Sequence, residues 1–241
     1  MGESIIRIQD VRKVYLIGKE RVVAVGRISL DISKGEICCI LGPSGSGKST
    51  LLNIMAGLER PSRGKIVIGG TDVTRFSEKK WALFRQGNIG FVFQSYNLMP
   101  TMTAVENVAL PLTFCGMNRE KRTRMAVQML KAVHLGSRLM HRPTQMSGGQ
   151  QQRVGIARAF IAHPKIVFAD EPTGNLDTKT SREVMELMVA MAKKYGETLV
   201  IVTHDPDIAK YADRILTIRD GRLLSDKPNH SVYGNKEEQA V

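Results

Sequence analysis

The sequence predicts an α/β fold in which helices pack on a mostly parallel β-sheet. Four short apolar runs rich in β-branched residues favour this class: Ile37–Leu41, Ile89–Phe93, Ile166–Ala169 and Leu199–Thr203. Runs of this length that are apolar on both faces are typical of strands buried in parallel sheets. Helical patterns lie between several of these runs, as connections between parallel strands require.

The remaining patterns divide the chain into parts. Residues up to about 35 alternate loosely and predict short antiparallel strands, and the glycines of Gly64–Gly70 predict a further hairpin. From Thr103 to about residue 162 the pattern is helical, with a capping box at Thr103–Glu106 and Pro111 limiting the first helix. We therefore predict a core at 1–95 and 163–225 that carries an antiparallel β subdomain, an inserted α-helical subdomain at 96–162, and a disordered polar tail at 226–241.

The composition is that of a globular protein of 241 residues, of which 42% are hydrophobic. Its three cysteines, two of them adjacent in a predicted strand at Cys38 and Cys39, exclude a disulfide framework. The longest apolar runs fall short of the roughly 18 residues of a membrane span, and we expect no secretory signal. The formal charge of +12 fits solvated helix faces, an anionic membrane surface or nucleic acid, and solvated faces are favoured.

Polar side chains follow all four predicted strands at the point where each strand ends. A glycine-rich loop follows the first strand, Gln94 the second, Asp170 and Glu171 the third, and His204 the fourth. Ligands of open α/β sheets bind beyond the carboxyl ends of the strands. We therefore expect these polar groups to converge on one edge of the sheet and to form the active site.

The glycine-rich loop matches the pattern G-x-x-x-x-G-K-[ST]. Such a loop turns successive backbone N–H groups inward to cradle phosphates, and the helix that follows adds its N-terminal dipole. Lys48 supplies a positive charge toward the β- and γ-phosphates, and the Ser49 hydroxyl is placed for Mg²⁺. The predicted phosphate-binding residues are Gly42, Pro43, Ser44, Gly45, Ser46, Gly47, Lys48, Ser49 and Thr50.

The other strand-end residues suit the chemistry of a γ-phosphate. Asp170 is the expected partner of Mg²⁺, and Glu171 is the expected group that polarises an attacking water. We expect His204 to donate to the γ-phosphate and Gln94 to contact Mg²⁺ or water. The structural alternatives are that the carboxylates cap the next helix and that His204 is an ordinary structural histidine.

A second predicted anion site begins a later helix. Ser147 is a good N-cap, and Gly148 and Gly149 leave backbone N–H groups open toward an anion, with Gln150 next in the turn. One nucleotide does not need two such sites in one chain. A head-to-tail homodimer uses both, because the serine–glycine turn of one chain then covers the nucleotide of the other.

This order of motifs resembles the nucleotide-binding domain of ATP-binding cassette (ABC) transporters, which have the P-loop NTPase fold. The resemblance extends from about residue 4 to 225. It implies an ATPase that uses ATP and Mg²⁺, with Tyr15 stacking on adenine and Ser147 and Gly149 completing the partner's site. It also implies that Asp177 couples the two sites across the dimer.

Finer features resemble the macrolide-exporter, lipoprotein-releasing and cell-division group of that family, notably Phe93–Pro100, Ala169–Asp177 and Thr203–Pro206. The resemblance implies a separate integral membrane permease as partner, a place on the cytoplasmic face of the cell membrane, and no nucleic-acid partner. We expect a permease helix to dock near Gln94–Pro100, where Leu98, Met99 and Met102 are apolar. Two alternatives stay open: a regulator of an envelope enzyme, and a soluble ABC ATPase that acts on nucleic acid.

Overall fold

The computed structural model describes residues 3–232 and confirms the α/β class. It divides into two compact units, one formed by the described parts of Met1–Leu83 and Thr198–Val241, the other by Phe84–Glu197. None of the helices within residues 3–232 has both the length and the apolar character needed to cross a membrane.

The first unit contains an antiparallel sheet with the strand order β2-β1-β4-β5. The predicted short strands of the N-terminal region are in fact two strands of 14 residues each that turn at Gly18. One long strand replaces several short ones because β1 shifts register between Ile8 and Val11, and such bulges let a strand bend without ending. The strands are β1 (Ser4–Ile17), β2 (Glu20–Ser33), β4 (Arg63–Ile68) and β5 (Thr71–Asp72).

The first unit also contains the strands that position the predicted phosphate loop. Strand β3 (Ile37–Leu41) lies between β8 (Thr198–Thr203) and β9 (Arg214–Arg219) and runs parallel to both. Helix α1 (Lys48–Met55) follows β3, and the short helix α7 (Pro206–Ala209) follows β8. The buried side chains of β3 and β8 confirm that these apolar runs are core strands.

The first residues of the predicted disordered tail belong to a strand. Strand β10 (Arg222–Pro228) pairs antiparallel with β9, so residues 226–228 are ordered rather than disordered. The physical reason is an ion pair: Asp226 accepts two hydrogen bonds from the Arg214 guanidinium, at 2.5 and 2.6 Å. Residues 233–241 of the predicted tail lie outside the described residues.

The second unit contains two parallel strands and most of the helices. Strands β6 (Ile89–Phe93) and β7 (Ile166–Asp170) pair in parallel along their whole length. Helix α2 (Glu78–Asn88) leads into β6 across the border between the units. The other helices are α3 (Ala104–Phe114), α4 (Arg119–Ala132), a 3₁₀ turn at Pro143–Gln145, α5 (Gly148–Phe160) and α6 (Thr178–Tyr195).

Helix α3 begins as predicted but does not end at its proline. Thr103 accepts a hydrogen bond from the Glu106 amide, and Glu106 accepts one from the Thr103 amide, which confirms the capping box. Pro111 lies inside the helix, because it lacks only its own N–H and its carbonyl still accepts from the Cys115 amide at 3.1 Å. The expectation that Pro111 limits this helix is therefore wrong.

The second compact unit is larger than the predicted helical subdomain of 96–162. It includes β6, β7 and α6 because α5 packs against both β6 and α6. The division into a core and an inserted subdomain stays a prediction.

Glu197 is a buried carboxyl group at the end of the second unit. Its residue is 4% exposed, and neither carboxylate oxygen accepts a hydrogen bond from the described residues. Its nearest cationic candidate is the His163 imidazole, whose Nδ1 lies 3.7 Å from Oε1. Burial raises the pKa of Glu197 to about 8.

This shift predicts a stability that falls with rising pH. The folded chain keeps a proton on Glu197 that the unfolded chain releases between about pH 4.5 and 8, so folding is favoured below this window. The free energy of unfolding should fall across it by up to about 1.4 kcal/mol per pH unit. Urea denaturation of wild type and Glu197→Gln at several pH values measures this contribution, which the amide variant should lack.

The exposed Glu120→Gln is the matched control, because its carboxylate pairs on the surface with Arg124 and should leave the pH dependence unchanged. If Glu197→Gln keeps the wild-type slope, Glu197 does not carry the effect.

Candidate active site

The glycine-rich loop of the first unit connects β3 to α1. The Gly42 amide donates to the Thr203 carbonyl at 3.3 Å, and the N-cap of α1 is Gly47, with a left-handed φ of 94°. A Cβ on Gly42 would lie 2.0 Å from the Ile218 carbonyl oxygen, and one on Gly47 would lie 2.0 Å from that of Ala24. Backbone packing thus requires glycine at both positions, independently of any ligand.

The side chains of this loop fit a bound polyphosphate. Lys48 is 5% exposed, and its ammonium makes one hydrogen bond within the described residues, to the Pro43 carbonyl at 2.9 Å. The Ser46 hydroxyl is also buried and has no partner among those residues. A buried cation without a carboxylate partner is costly, and an anion in the loop removes that cost.

His204 directly follows β8, at the edge of the sheet where this loop begins. Strands β3 and β8 are parallel and pair Leu41 with Thr203, so Gly42 and His204 follow adjacent strand ends at one edge. The His204 residue is exposed there. This placement suits the predicted donor to a γ-phosphate, and that role stays a prediction.

Tyr15 lies near the end of β1, and its side chain is hydrogen-bonded. Its hydroxyl donates to Glu59 Oε2 at 2.6 Å. Burial raises the pKa of Tyr15, the Glu59 hydrogen bond raises it further, and the nearby Thr50 side chain lowers it. The predicted stacking of this ring on adenine stays a prediction.

The second unit carries the other strand-end residues. Parallel pairing of Phe93 with Asp170 puts Gln94 and Glu171 at the same edge of the β6–β7 pair. The side-chain Nδ2 of Asn175 donates to the Gln94 backbone carbonyl at 3.1 Å, and a Cβ on Gly174 would lie 2.7 Å from the Gln94 side-chain nitrogen. The turn after the carboxylates therefore packs directly on the Gln94 side chain.

Glu171 has an uncommon backbone conformation. Its φ is 45°, in the left-handed region that costs a residue with a Cβ about 1 to 2 kcal/mol. Its carbonyl accepts from the Gly174 amide at 3.1 Å, which closes the turn. Strain of this kind is concentrated at functional sites, because only a constrained surrounding structure maintains it.

The serine–glycine turn forms the predicted N-terminus of α5. Ser147 accepts from the Gln150 amide at 3.3 Å, and Gln150 accepts in return from the Ser147 amide at 3.1 Å. Gly148 and Gly149 are tightly packed: a Cβ would lie 2.7 Å from the Tyr96 hydroxyl and 2.5 Å from Thr180 Cγ2, respectively. The predicted cap is confirmed, and the contact of this turn with a partner chain stays a prediction.

Asp177 has a local structural role in the described chain. It is the N-cap of α6, where it accepts from the Thr180 amide at 3.0 Å and from the Thr180 hydroxyl at 2.6 Å. These hydrogen bonds hold the pKa of Asp177 below its ordinary value. The predicted coupling of two nucleotide sites through Asp177 is therefore an additional role that stays a prediction.

Two polar residues of α5 were missed from the sequence. Gln152 is fully buried and donates to the Pro172 carbonyl at 2.5 Å, next to Glu171. Arg158 donates to the carbonyls of Tyr96 and Asn97 at 2.9 and 2.6 Å, and so holds the chain that follows Gln94. The available signal for Arg158 was a charged side chain within the apolar stretch Val154–Phe160, which indicates a buried hydrogen bond. Gln152 lies among other polar residues of the helix, so no such signal marked it in the sequence.

The predicted site residues thus form two groups, each on one unit. Tyr15, the loop residues Gly42–Thr50 and His204 belong to the first unit. Gln94, Asp170, Glu171, the turn Ser147–Gln150 and Asp177 belong to the second. The convergence of the two groups on one nucleotide stays a prediction.

The predicted Mg²⁺ ligands are one hydroxyl, one amide and one carboxylate: Ser49, Gln94 and Asp170. Magnesium is usually held by one or two carboxylates together with substrate phosphates and water rather than by an all-protein cage. Residues 3–232 contain no cluster of three or more His, Cys, Asp or Glu side chains that could hold a metal ion. The assignment of Ser49, Gln94 and Asp170 to Mg²⁺ stays a prediction.

Comparison with known proteins identifies the family. The sequence profile described as ABC transporter matches residues 25–174, which include the phosphate loop and the serine–glycine turn. The chain is 46% identical over 223 residues to the lipoprotein-releasing system ATP-binding protein LolD of Geobacter metallireducens, with 92% of this chain and 99% of LolD covered. It is 45% identical over 232 residues to the macrolide export ATP-binding/permease protein MacB of Brucella melitensis.

The match to MacB covers 96% of this chain and 36% of MacB. Among solved structures, the chain resembles a dimeric post-hydrolysis state of the ATP-binding cassette MJ0796 bound to ADP and Pi. The TM-score is 0.87 at 40% identity, with 93% of this chain and 99% of that chain covered. The chain therefore belongs to the ABC transporter family and is one of its ATP-hydrolysing cassettes.

Proposed function

We propose that two copies of this chain dimerise head to tail around two ATP–Mg²⁺ and that their hydrolysis of ATP drives a separate membrane permease. The observation that carries this proposal is the presence in one chain of two helix starts of the kind that bind anions. One is the phosphate loop at α1, and the other is the capped serine–glycine turn at α5. The dimeric state of the MJ0796 cassette, bound to ADP and Pi, supports it.

The roles of the phosphate loop follow from its donors. Lys48 and the backbone N–H groups of the loop hold the β- and γ-phosphates, and the hydroxyls of Ser49 and Thr50 add donors at the start of α1. Ser49, Gln94 and Asp170 would hold Mg²⁺, which neutralises phosphate charge as the γ-phosphoryl group leaves. The partner's serine–glycine turn, through Ser147 and Gly149, stabilises the same developing charge from the other side.

Glu171 acts on the attacking water, and His204 acts on the γ-phosphate. The Glu171 carboxylate orients a water for in-line attack and accepts its proton, so a hydroxide equivalent reaches the γ-phosphorus. His204 donates a hydrogen bond to a γ-phosphate oxygen. Catalysis then consists of positioning and electrostatic stabilisation.

The relatives support a permease partner. MacB joins an ATP-binding part and a permease in one chain, whereas LolD is an ATP-binding protein of this chain's length. We propose that this chain, like LolD, works with a separate permease, on the cytoplasmic face of the membrane. Its work is export or mechanotransmission for a hydrophobic compound, lipoprotein or peptide.

The docking surface proposed for the permease is the segment Gln94–Pro100 with the adjoining face of α3. Met99 is 46% exposed although its backbone N–H and carbonyl both bond to the buried Asn107 amide at 2.7 and 3.1 Å. An exposed apolar side chain on a fixed backbone suits a docking surface. Next to it, a cavity of about 430 Å³ is lined by residues that include Met102, Val105, Leu110, Arg122 and Met140.

Glutamate substitutions test this function. We expect Met99→Glu to keep ATP turnover in the isolated cassette but to abolish stimulation of that turnover by the permease reconstituted in detergent. Leu224→Glu is the matched control, because Leu224 is 59% exposed on β10 and outside the docking surface. Full stimulation of Met99→Glu would contradict the docking surface, and the absence of any membrane protein that stimulates the wild type would contradict the transport function.

A further inference from the structure

Glu59 and Lys13 form a charged pair around the Tyr15 side chain. The Lys13 ammonium lies 2.8 Å from Glu59 Oε1, while the other carboxylate oxygen accepts from the Tyr15 hydroxyl at 2.6 Å. The side chains of Lys13 and Glu59 are only 15% and 23% exposed. A largely buried pair with complementary hydrogen bonds holds its geometry better than a surface ion pair.

Lys13 also covers one face of the Tyr15 ring. Its Nζ lies 5.0 Å from the ring centroid, within the range of a cation–π interaction. The same ammonium donates to the Arg60 carbonyl at 2.9 Å, which fixes its position. A flat base that stacks on Tyr15 must therefore use the opposite face of the ring.

The pair connects Tyr15 to the helix that carries the phosphate loop. The amide of Glu59 donates to the Asn53 carbonyl of α1 at 3.2 Å, so the carboxylate is anchored near the C-terminal end of that helix. The position of the ring is thus set relative to the C-terminal part of α1, and through this helix relative to Lys48 at its start.

We propose that Glu59 is a positioning residue for the adenine base: together with Lys13 it holds the Tyr15 ring at a fixed place beside α1, with one face left for the base. This proposal rests on the proposed function, in which Tyr15 stacks on adenine. Glu59 touches neither base nor phosphate, and acts through Tyr15. Its effect should therefore appear in the binding of the base and not in the binding of the phosphates.

Calorimetric titration separates binding of the base from binding of the phosphates. With Mg²⁺ present, we expect Glu59→Ala to raise the Kd for ATP about five- to tenfold, because the variant loses the charge-assisted hydrogen bond that orders the Tyr15 ring. The Kd for inorganic tripolyphosphate should stay unchanged, because this ligand has no base to stack on the ring. Glu59→Gln keeps an acceptor for the Tyr15 hydroxyl and should restore most of the affinity. In steady state, KM for ATP should rise while kcat changes little.

Asp31→Ala is the matched control. Asp31 lies on β2 and pairs at 2.7 Å with Arg7, which is on β1 like Tyr15, but Asp31 does not contact Tyr15 itself. This variant should change neither Kd. Equal losses for ATP and tripolyphosphate in Glu59→Ala would indicate general damage to the loop and overturn the proposal.

A double-mutant cycle tests the route through Tyr15. Tyr15→Phe keeps the ring but loses the hydroxyl, so Glu59→Ala should add little to it. If the two losses add in full, Glu59 acts by another route and the proposal fails. Weaker ATP binding in Tyr15→Ala together with unchanged binding in Glu59→Ala overturns the positioning role alone. Unchanged binding in Tyr15→Ala overturns the adenine platform itself and leaves ATP hydrolysis by the cassette standing.

Discussion

Replacement of Glu171 by glutamine should lower ATP turnover at least about a hundredfold, the loss typical of a missing general base. The amide keeps the size and hydrogen-bonding reach of the carboxylate but does not accept the proton of the attacking water. Because the φ of 45° at this residue belongs to the backbone, the variant should keep the turn closed by the Gly174 amide. A loss of turnover without loss of folding would thus report on chemistry.

The same variant should accumulate an ATP-dependent dimer. Two chains that each supply half of a nucleotide site close when ATP binds and open only after hydrolysis, so blocked hydrolysis traps the closed state. Light scattering on a sizing column, with and without ATP and Mg²⁺, measures the dimer, and phosphate release measures turnover.

Glu120→Gln is the matched control for this substitution. Its carboxylate is 83% exposed on α4, where it pairs with Arg124, and the change of charge is the same. We expect wild-type turnover from it. Near-normal hydrolysis by Glu171→Gln would remove Glu171 from its proposed role.

Site residues could be predicted from the sequence where they belong to one short motif of consecutive positions. The phosphate loop from Gly42 to Ser49 and the capped turn at Ser147 are visible because their geometry depends on residues within a few positions. The strand ends at Gln94 and His204 could be predicted because the apolar runs before them are short and bounded. These local patterns also predict the starts of α1, α3 and α5.

Contacts between distant positions were not predictable in this way. The Tyr15–Glu59 hydrogen bond joins residues 44 positions apart, and the Gln152–Pro172 bond joins residues 20 positions apart. The ordered start of the predicted tail has the same cause, since Arg214 holds Asp226 across a hairpin. In each case the pairing depends on the tertiary structure, whereas the sequence shows only a polar residue.

A mixing experiment with two inactive variants should restore hydrolysis, because the proposed dimer divides each nucleotide site between two chains. Lys48→Ala removes the ammonium of the phosphate loop. Ser147→Asp keeps a good N-cap for α5, so the helix start stays folded, but it adds negative charge where the partner's phosphates would lie. Each variant alone should therefore lose turnover, while Ser147→Asp still binds ATP as a monomer.

In a mixed dimer the two defects fall on the same site. The loop of the Ser147→Asp chain faces the intact turn of the Lys48→Ala chain, and the other site carries both substitutions. With random pairing half of the dimers are mixed and each has one intact site, so turnover should recover to about a quarter of the wild-type value. Chains with different tags allow the mixed dimers to be isolated and counted. Full turnover by Ser147→Asp alone, or isolated mixed dimers without activity, would show that one chain does not complete the site of the other, and the head-to-tail arrangement would have to be abandoned.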